Sequence, residues 1–221
     1  MCQPFLHTAA AFFFFIPNHL PPWIDRKLAL FLLSAGIPIY HYVMRLIALI
    51  RSDIAAKAHR LYGHASVRSR IKACCTDGTT AMVLYRLMQA SQRAGLTPLA
   101  MLCNKLIMLL GGCIIGRGAS FGPRFVLIHS LGVVINSTVR GGEGIHIEHQ
   151  VTIGAEQGQS PILGNDIFIG AGAKLIGNIQ IGDDVRIGAN AVVIRDVPAH
   201  ATAVGVPAHN LLPEHREQPT S

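Results

Sequence analysis

Three histidines, His129, His146 and His149, stand close together in a chain that is half hydrophobic and only 14% charged over its 221 residues. A neutral imidazole, with a pKa near ambient pH, can take the proton of a hydroxyl as that hydroxyl attacks a carbonyl. The same side chain can ligate a metal. Nearby run glycine-rich turns such as Gly170-Ala171-Gly172-Ala173. Backbone N–H groups in such turns can meet a developing oxyanion. Lys174, Arg186 and Arg195 are cations of the kind that meet phosphates. Residue type alone leaves the plain alternatives standing: histidines as solvated corner residues, alanines as packing, and cations as solvated charge.

What must position these groups is a repeat. From Ile115 to Val193 an apolar residue recurs at every sixth position, with one missing beat at Gln157. Glycine follows the sixth position at Gly116, Gly122, Gly158, Gly164, Gly170, Gly182 and Gly188. A helix has period 3.6 and a strand period 2, so neither alone fits. A triangular β-solenoid does: each hexad makes one short face and one corner, with the apolar residue inside. Gly164-Asn165-Asp166 and Gly182-Asp183-Asp184 suit tight corners. One hexad cannot bury its own apolar residue, but stacked coils share a continuous core. A sandwich with coincidental spacing is the competing fold, and the persistence of the phase argues against it. At about eighteen residues per coil, His129 stacks near position 147, with His146 and His149 one coil away.

The rest of the chain divides around that repeat. Residues 1–43 form an apolar N-terminal extension of uncertain status, with Phe12 to Ile16 purely apolar and no Lys or Arg before it, unlike a secretory signal. A second apolar stretch, Leu28 to Ile50, is long enough to span a bilayer, but Arg45 lies inside it. Membrane contact through residues 1–50 is therefore the less favoured reading. Met44 opens an amphipathic stretch and is a candidate translation start. Residues 44–112 read as a block of four helices that caps the first coil and assembles subunits. They run from Met44 to Tyr62, Ala65 to Cys75, Thr79 or Thr80 (as cap) to Arg93, and Thr97-Pro98 to Gly111-Gly112. The solenoid follows over 113–198, and 199–221 is a C-terminal segment and tail. Ala155 to Pro161 loses the apolar beat and reads as a loop leaving a corner. The formal charge of +7 suits an anionic ligand such as a nucleotide cofactor, or an anionic membrane surface. No interleaved basic and aromatic stripe points to nucleic acid. Five cysteines form no C-x-x-C and suggest buried free thiols in a reducing compartment, so the cytoplasm is the expected location.

On these residues the chain resembles a known family. Arg124 to Gly154 (RFVLIHSLGVVINSTVRGGEGIHIEHQVTIG), Ile169 to Asn178 (IGAGAKLIGN) and the closing AVVIRDVPAHATAVGVPAH are similar to the hexapeptide-repeat acyltransferases. Within these, the resemblance is to serine O-acetyltransferases and to the related acetyltransferases of bacterial exopolysaccharide synthesis, including the colanic-acid type. It covers about residues 44–210. It implies an α+β fold: an N-terminal helical block followed by a left-handed parallel β-helix. It further implies a homotrimer, with acetyl-CoA as acyl donor in the groove between subunits. The family's catalytic histidine falls on His129, as general base toward a sugar or serine hydroxyl, and His149 falls where a polar residue assists it or binds acceptor. The cofactor positions fall on Gly154, Ala155, Ala171, Lys174, Ala189 and Arg195, with Gly154 the candidate oxyanion donor.

Three departures accompany the resemblance. Ile128 stands where the family carries Asp immediately before the histidine. Ile114-Ile115-Gly116-Arg117 stands where it carries the Asp that orients the imidazole. Gln159-Ser160-Pro161 replaces Arg-His-Pro at the end of the loop. The expected partner of His129 is thus absent or comes from elsewhere, and the groups associated with an amino-acid acceptor are missing, which favours a glycan hydroxyl over L-serine. A β-helical, carbonic-anhydrase-like metal enzyme and a non-catalytic solenoid scaffold are the alternatives. No metal is expected, because no supporting polar set accompanies the three histidines.

Overall fold

In the computed structural model, which describes residues 38–212 with side chains from Val43, helices lead into a series of very short strands. Helix α1 spans Pro38–Tyr62, α2 Val67–Cys74, α3 Thr79–Arg93 and α4 Thr97–Gly111. Two of the stops fall directly at glycines. Gly63 and Gly112, just past α1 and α4, sit in the left-handed region at φ of 74° and 61°, which glycine enters without steric cost. The starts of two helices differ from expectation. Neither Thr79 nor Thr80 caps α3: Gly78 is the N-cap, and the Thr79 hydroxyl, already in the helix, donates to Ala73 O at 2.7 Å. Thr97 opens α4 rather than capping it, because Leu96 takes the N-cap position with Pro98 in the first turn. The reading of residues 1–43 lies outside the described residues apart from the start of α1. Among the described residues, no helix is long and apolar enough to cross a membrane.

The strands wrap into a three-faced parallel solenoid. The first face stacks β1 (Ile114–Ile115), β4 (Val134–Ile135), β7 (Thr152–Gly154), β10 (Lys174–Ile176) and β13 (Val192–Val193). The second stacks β2 (Ser120–Phe121), β5 (Arg140–Gly141), β8 (Ile162–Leu163) and β11 (Gln180–Ile181). The third stacks β3 (Val126–Leu127), β6 (His146–Ile147), β9 (Phe168–Ile169), β12 (Arg186–Ile187) and β14 (Thr202–Val204), so parallel pairing runs on to Ala203. Antiparallel β15 (His209–Leu211) closes this face. Inside, Ile115, Ile135, Ile153, Leu175 and Val193 pair in register and are at most 2% exposed. Each strand is too short to be stable alone, and the shared ladder of buried aliphatics supplies what one coil lacks.

Coil length is not uniform. Leu127 pairs with Ile147, twenty residues on, and Ile147 with Ile169, twenty-two on, before Ile169 pairs with Ile187 at eighteen. The longer coil holds the Ala155 to Pro161 excursion, a tight hairpin bridged at Glu156 and Gln159 with Gln157 and Gly158 at positive φ. The even count of six therefore steps between two interior stacks after Leu127, where Val133 and Ile135 are both buried. The consequence for the site is that His129 lies level with His149, not with position 147.

The helical block is locked to the first coil. Tyr85 on α3 donates to Ala119 O and accepts from the Phe121 N–H, at 3.2 and 3.1 Å. Its ring lies against Phe125, which stacks on Phe121 at 4.6 Å between centroids. Beside it, buried Arg86 donates through Nε and Nη2 to Asp53 on α1 at 2.7 and 3.1 Å, and to Phe121 O and Gly122 O. Cys103 and Cys113 are buried as expected, whereas Cys74 and Cys75, at the end of α2, are exposed.

Candidate active site

His129 follows β3 at a corner of the prism. Opposite it the chain leaves α2 and turns through Cys75, Thr76, Asp77 and Gly78 into α3. Gly78, at φ of 78°, lets this turn pack flat on β3: a Cβ there would lie 2.6 Å from Leu127 O. Lys57, buried on α1, donates from Nζ to the Asp77 backbone oxygen. The Asp77 carboxylate is thereby brought to His129, with Oδ2 2.8 Å from Nδ1. Both side chains are open to solvent, at 61% and 50% exposure. If Nδ1 carries the proton that this contact uses, Nε2 holds the lone pair that can accept another.

One coil further, His149 meets His129 edge to face, with ring centroids 6.0 Å apart and planes at 73°. Glu148 Oε2 lies 3.7 Å from His149 Nδ1. From the two histidines a cavity of about 410 Å³ extends across the coils, past the Gly170-Ala171 and Gly188-Ala189 turns to Thr202. Phe168 and Arg186 line its side. The Arg186 guanidinium lies 5.2 Å from the Phe168 ring centroid, and Arg60 from α1 covers the same ring at 4.6 Å.

The structure thus brings His129, His149, Ala171, Ala189 and Arg186 into one cavity. It places other expected residues elsewhere. Gly154 and Ala155 lie at the end of β7, on the first face, and Arg195 lies exposed beyond β13. Lys174 is held by its neighbours, its Nζ donating to Gln150 O at 2.7 Å and Gly172 O at 3.0 Å. His146 is separate from the pair. Burial above all, with Arg60 and Arg124 nearby, pushes its pKa down to about 4, so it stays neutral. Among the described residues, no group of three His, Cys, Asp or Glu side chains is placed to hold a metal ion.

Two of the departures are built into the coils. Ile128 is buried, 5% exposed, and its backbone N–H donates to Ile147 O as part of the coil. Ser160 is occupied with the Thr138 hydroxyl at 2.7 Å. Sequence reasoning missed Asp77, Lys57, Glu148 and Phe168. Asp77-Gly78 reads in sequence only as a helix stop, and nothing local signals a contact with His129, 52 residues on.

Comparison with known proteins agrees with this architecture. Residues 160–195 match the family model described as bacterial transferase hexapeptide (six repeats). A serine acetyltransferase of Helicobacter pylori is 40% identical over 138 residues, which span 61% of this chain and 81% of that protein. The chain belongs to the serine acetyltransferase family. A Synechococcus elongatus member is 42% identical over 137 residues, 60% of this chain but only 56% of that longer protein. Among solved serine acetyltransferases, one in complex with CoA superposes with a TM-score of 0.70 at 30% identity, covering 78% of this chain and 72% of the other. The Neisseria gonorrhoeae enzyme in complex with serine gives 0.68 at 29%, covering 80% and 75%. The family's solenoid, with helices before it, is the fold described above.

Proposed function

We propose that the protein is an acetyl-CoA-dependent O-acetyltransferase with His129 as general base. The observation that carries this is the His129 imidazole at the head of a cavity walled by small-residue turns, in a chain whose relatives are serine acetyltransferases, one of them solved with CoA. In the reaction the acceptor hydroxyl gives its proton to His129 Nε2 as its oxygen bonds to the thioester carbonyl. Collapse of the tetrahedral intermediate breaks the C–S bond, and the proton passes from Nε2 to the leaving sulfur. Ala171 and Ala189 leave the cavity wall open to a pantetheine arm, Arg186 offers a guanidinium to phosphate, and His149 stands ready to contact the acceptor.

Gly154, Ala155, Lys174 and Arg195 lie away from this cavity, so in our reading they meet cofactor from a neighbouring copy, which makes a homotrimer the working form. Exposed apolar residues support such contacts, including Leu109 and Leu110 on α4 and Ile114 and Val134 on the first face. The particle mass in solution decides the point.

L-serine is the first acceptor to test, because it is what the relatives' names specify. A glycan hydroxyl is a second reading, favoured by the burial of Ile128 and the occupation of Ser160 where the family resemblance expects acceptor-binding charges. Thiol release from acetyl-CoA, with L-serine set against a panel of mono- and oligosaccharides, separates the two. His129→Ala should lower kcat by about 10²–10⁴-fold while CoA binding and the circular dichroism spectrum stay unchanged. A variant with near-normal turnover would refute the assignment of the base.

A further inference from the structure

The hexapeptide solenoid offers His129 no carboxylate, and the structure supplies one from outside it. We infer that Asp77 is the positioning residue for His129, delivered by the helical block through a turn that Lys57 holds in place. This rests on the proposed acetyl transfer and adds to it: the helices become part of the catalytic apparatus and not merely a cap on the first coil.

Three observations converge. The first is the contact itself, 2.8 Å between Asp77 Oδ2 and His129 Nδ1, on the ring nitrogen that must not be the base. An ionised carboxylate there selects the Nδ1–H tautomer, leaves Nε2 free, and stabilises the imidazolium formed when Nε2 takes the acceptor proton. The second is the lack of any rival. Among the described residues, Asp77 is the only acidic side chain within ion-pair distance of His129, and the nearest acid one coil on, Glu148, faces His149.

The third is the way the turn is built. Lys57 is fully buried, and among the described residues its amine has no carboxylate within salt-bridge distance. Its hydrogen bond goes instead to the Asp77 backbone oxygen. Burial pushes the Lys57 pKa down to about 8, with the Asp77 charge opposing the shift. A buried amine is costly unless it is hydrogen-bonded, so holding this turn is a use that fits its place. The hydroxyls of Thr76 and Thr79 both donate to Ala73 O at 2.7 Å, tying the turn to the end of α2. Gly78 completes the arrangement, since any side chain there would strike Leu127 O and crowd the Lys57 amine. The exposed carboxylate of Asp77 therefore sits on a backbone fixed from three sides.

The test uses full-length protein and two readouts. In ¹⁵N-histidine-labelled protein, NMR should find the His129 ring as the Nδ1–H tautomer, and Asp77→Asn should shift it toward a tautomer mixture. This readout does not depend on any acceptor. In the acetyl-CoA assay with L-serine, or with a saccharide acceptor if only that is used, Asp77→Asn should lower kcat about a hundredfold. KM for acetyl-CoA should stay within about twofold, because the ground-state contacts to cofactor are untouched. Lys57→Met should reproduce the kinetic loss in part, and Asp77→Glu should recover part of it. A merely structural role would leave the tautomer in place whatever happened to kcat, and that result overturns the inference. So does a D77N enzyme of near-normal kcat. If D77N behaves normally while H129A is dead, the inference fails alone; if H129A is active, the assignment of the base fails with it.

Discussion

Removing the Asp53 carboxylate should be among the most destabilising single changes in the described chain. Asp53 is 1% exposed and takes three hydrogen bonds: two from Arg86, at 2.7 and 3.1 Å, and one from the Phe125 N–H at 3.0 Å. Arg86, also 1% exposed, is left by Asp53→Ala as a buried cation facing only Gln89 Oε1 and the Phe121 and Gly122 carbonyls. Breaking one side of a buried pair costs about 3–5 kcal/mol, a large share of the 5–15 kcal/mol typical of a folded domain. The double variant D53L/R86M leaves no unpaired charge, so it should lose less than the sum of the D53L and R86M losses, with a coupling of about 1–3 kcal/mol in the cycle of wild type, D53L, R86M and the double. The carbonyls that lose their donor keep it below wild type. Urea unfolding followed by circular dichroism measures all four corners of the cycle. A D53A loss under about 1 kcal/mol, or single losses that simply add, would refute the claim that this pair locks the helices to the first coil. Because α1 also carries Lys57, D53A should lower activity in proportion to the folded fraction, without changing the His129 tautomer as D77N does.

Two further outcomes follow from the site and its surroundings. His146 has a folded pKa of about 4 against an ordinary 6.5, so between those values the unfolded chain binds the proton that the folded chain refuses. Stability should therefore fall as pH drops from 6.5 toward 4, by about 2 kcal/mol after allowing for partial exposure. His146→Gln should flatten that decline when urea midpoints at pH 7 and pH 4.5 are compared, and an unchanged slope would show that other groups cause it. Ala189→Leu should fill part of the cavity beside His129, raising KM for acetyl-CoA about tenfold or more. Steady-state kinetics with an unchanged KM would place the cofactor elsewhere.

Much of this protein is legible without coordinates, and the reason is that the legible parts are local. An apolar residue at every sixth position permits a stacked solenoid because each face repeats the same short backbone path, and every apolar residue that the count selects from Ile115 to Val193 is buried, while Ile135, Ile147 and Ile153 lie inside off the count. Gly63 and Gly112 end helices because only a residue without Cβ enters the left-handed region freely. The family resemblance placed His129, His149, Ala171 and Ala189, and the fold gathered all four into one cavity.

The remainder depended on packing between segments far apart in the chain. A coil of twenty residues set His129 against His149 and turned His146 away, because insertions at corners change the register without changing the local pattern. Lys174 found backbone carbonyls at its own corner, which its charge alone does not reveal. The carboxylate that meets His129 comes from a turn whose Asp-Gly sequence signals only a helix boundary. Period and turn chemistry are short-range properties, readable along the chain. The meeting of Asp77 with His129, and of Asp53 with Arg86, exists only once α1 and α3 are docked on the first coil, so tertiary structure alone decides it.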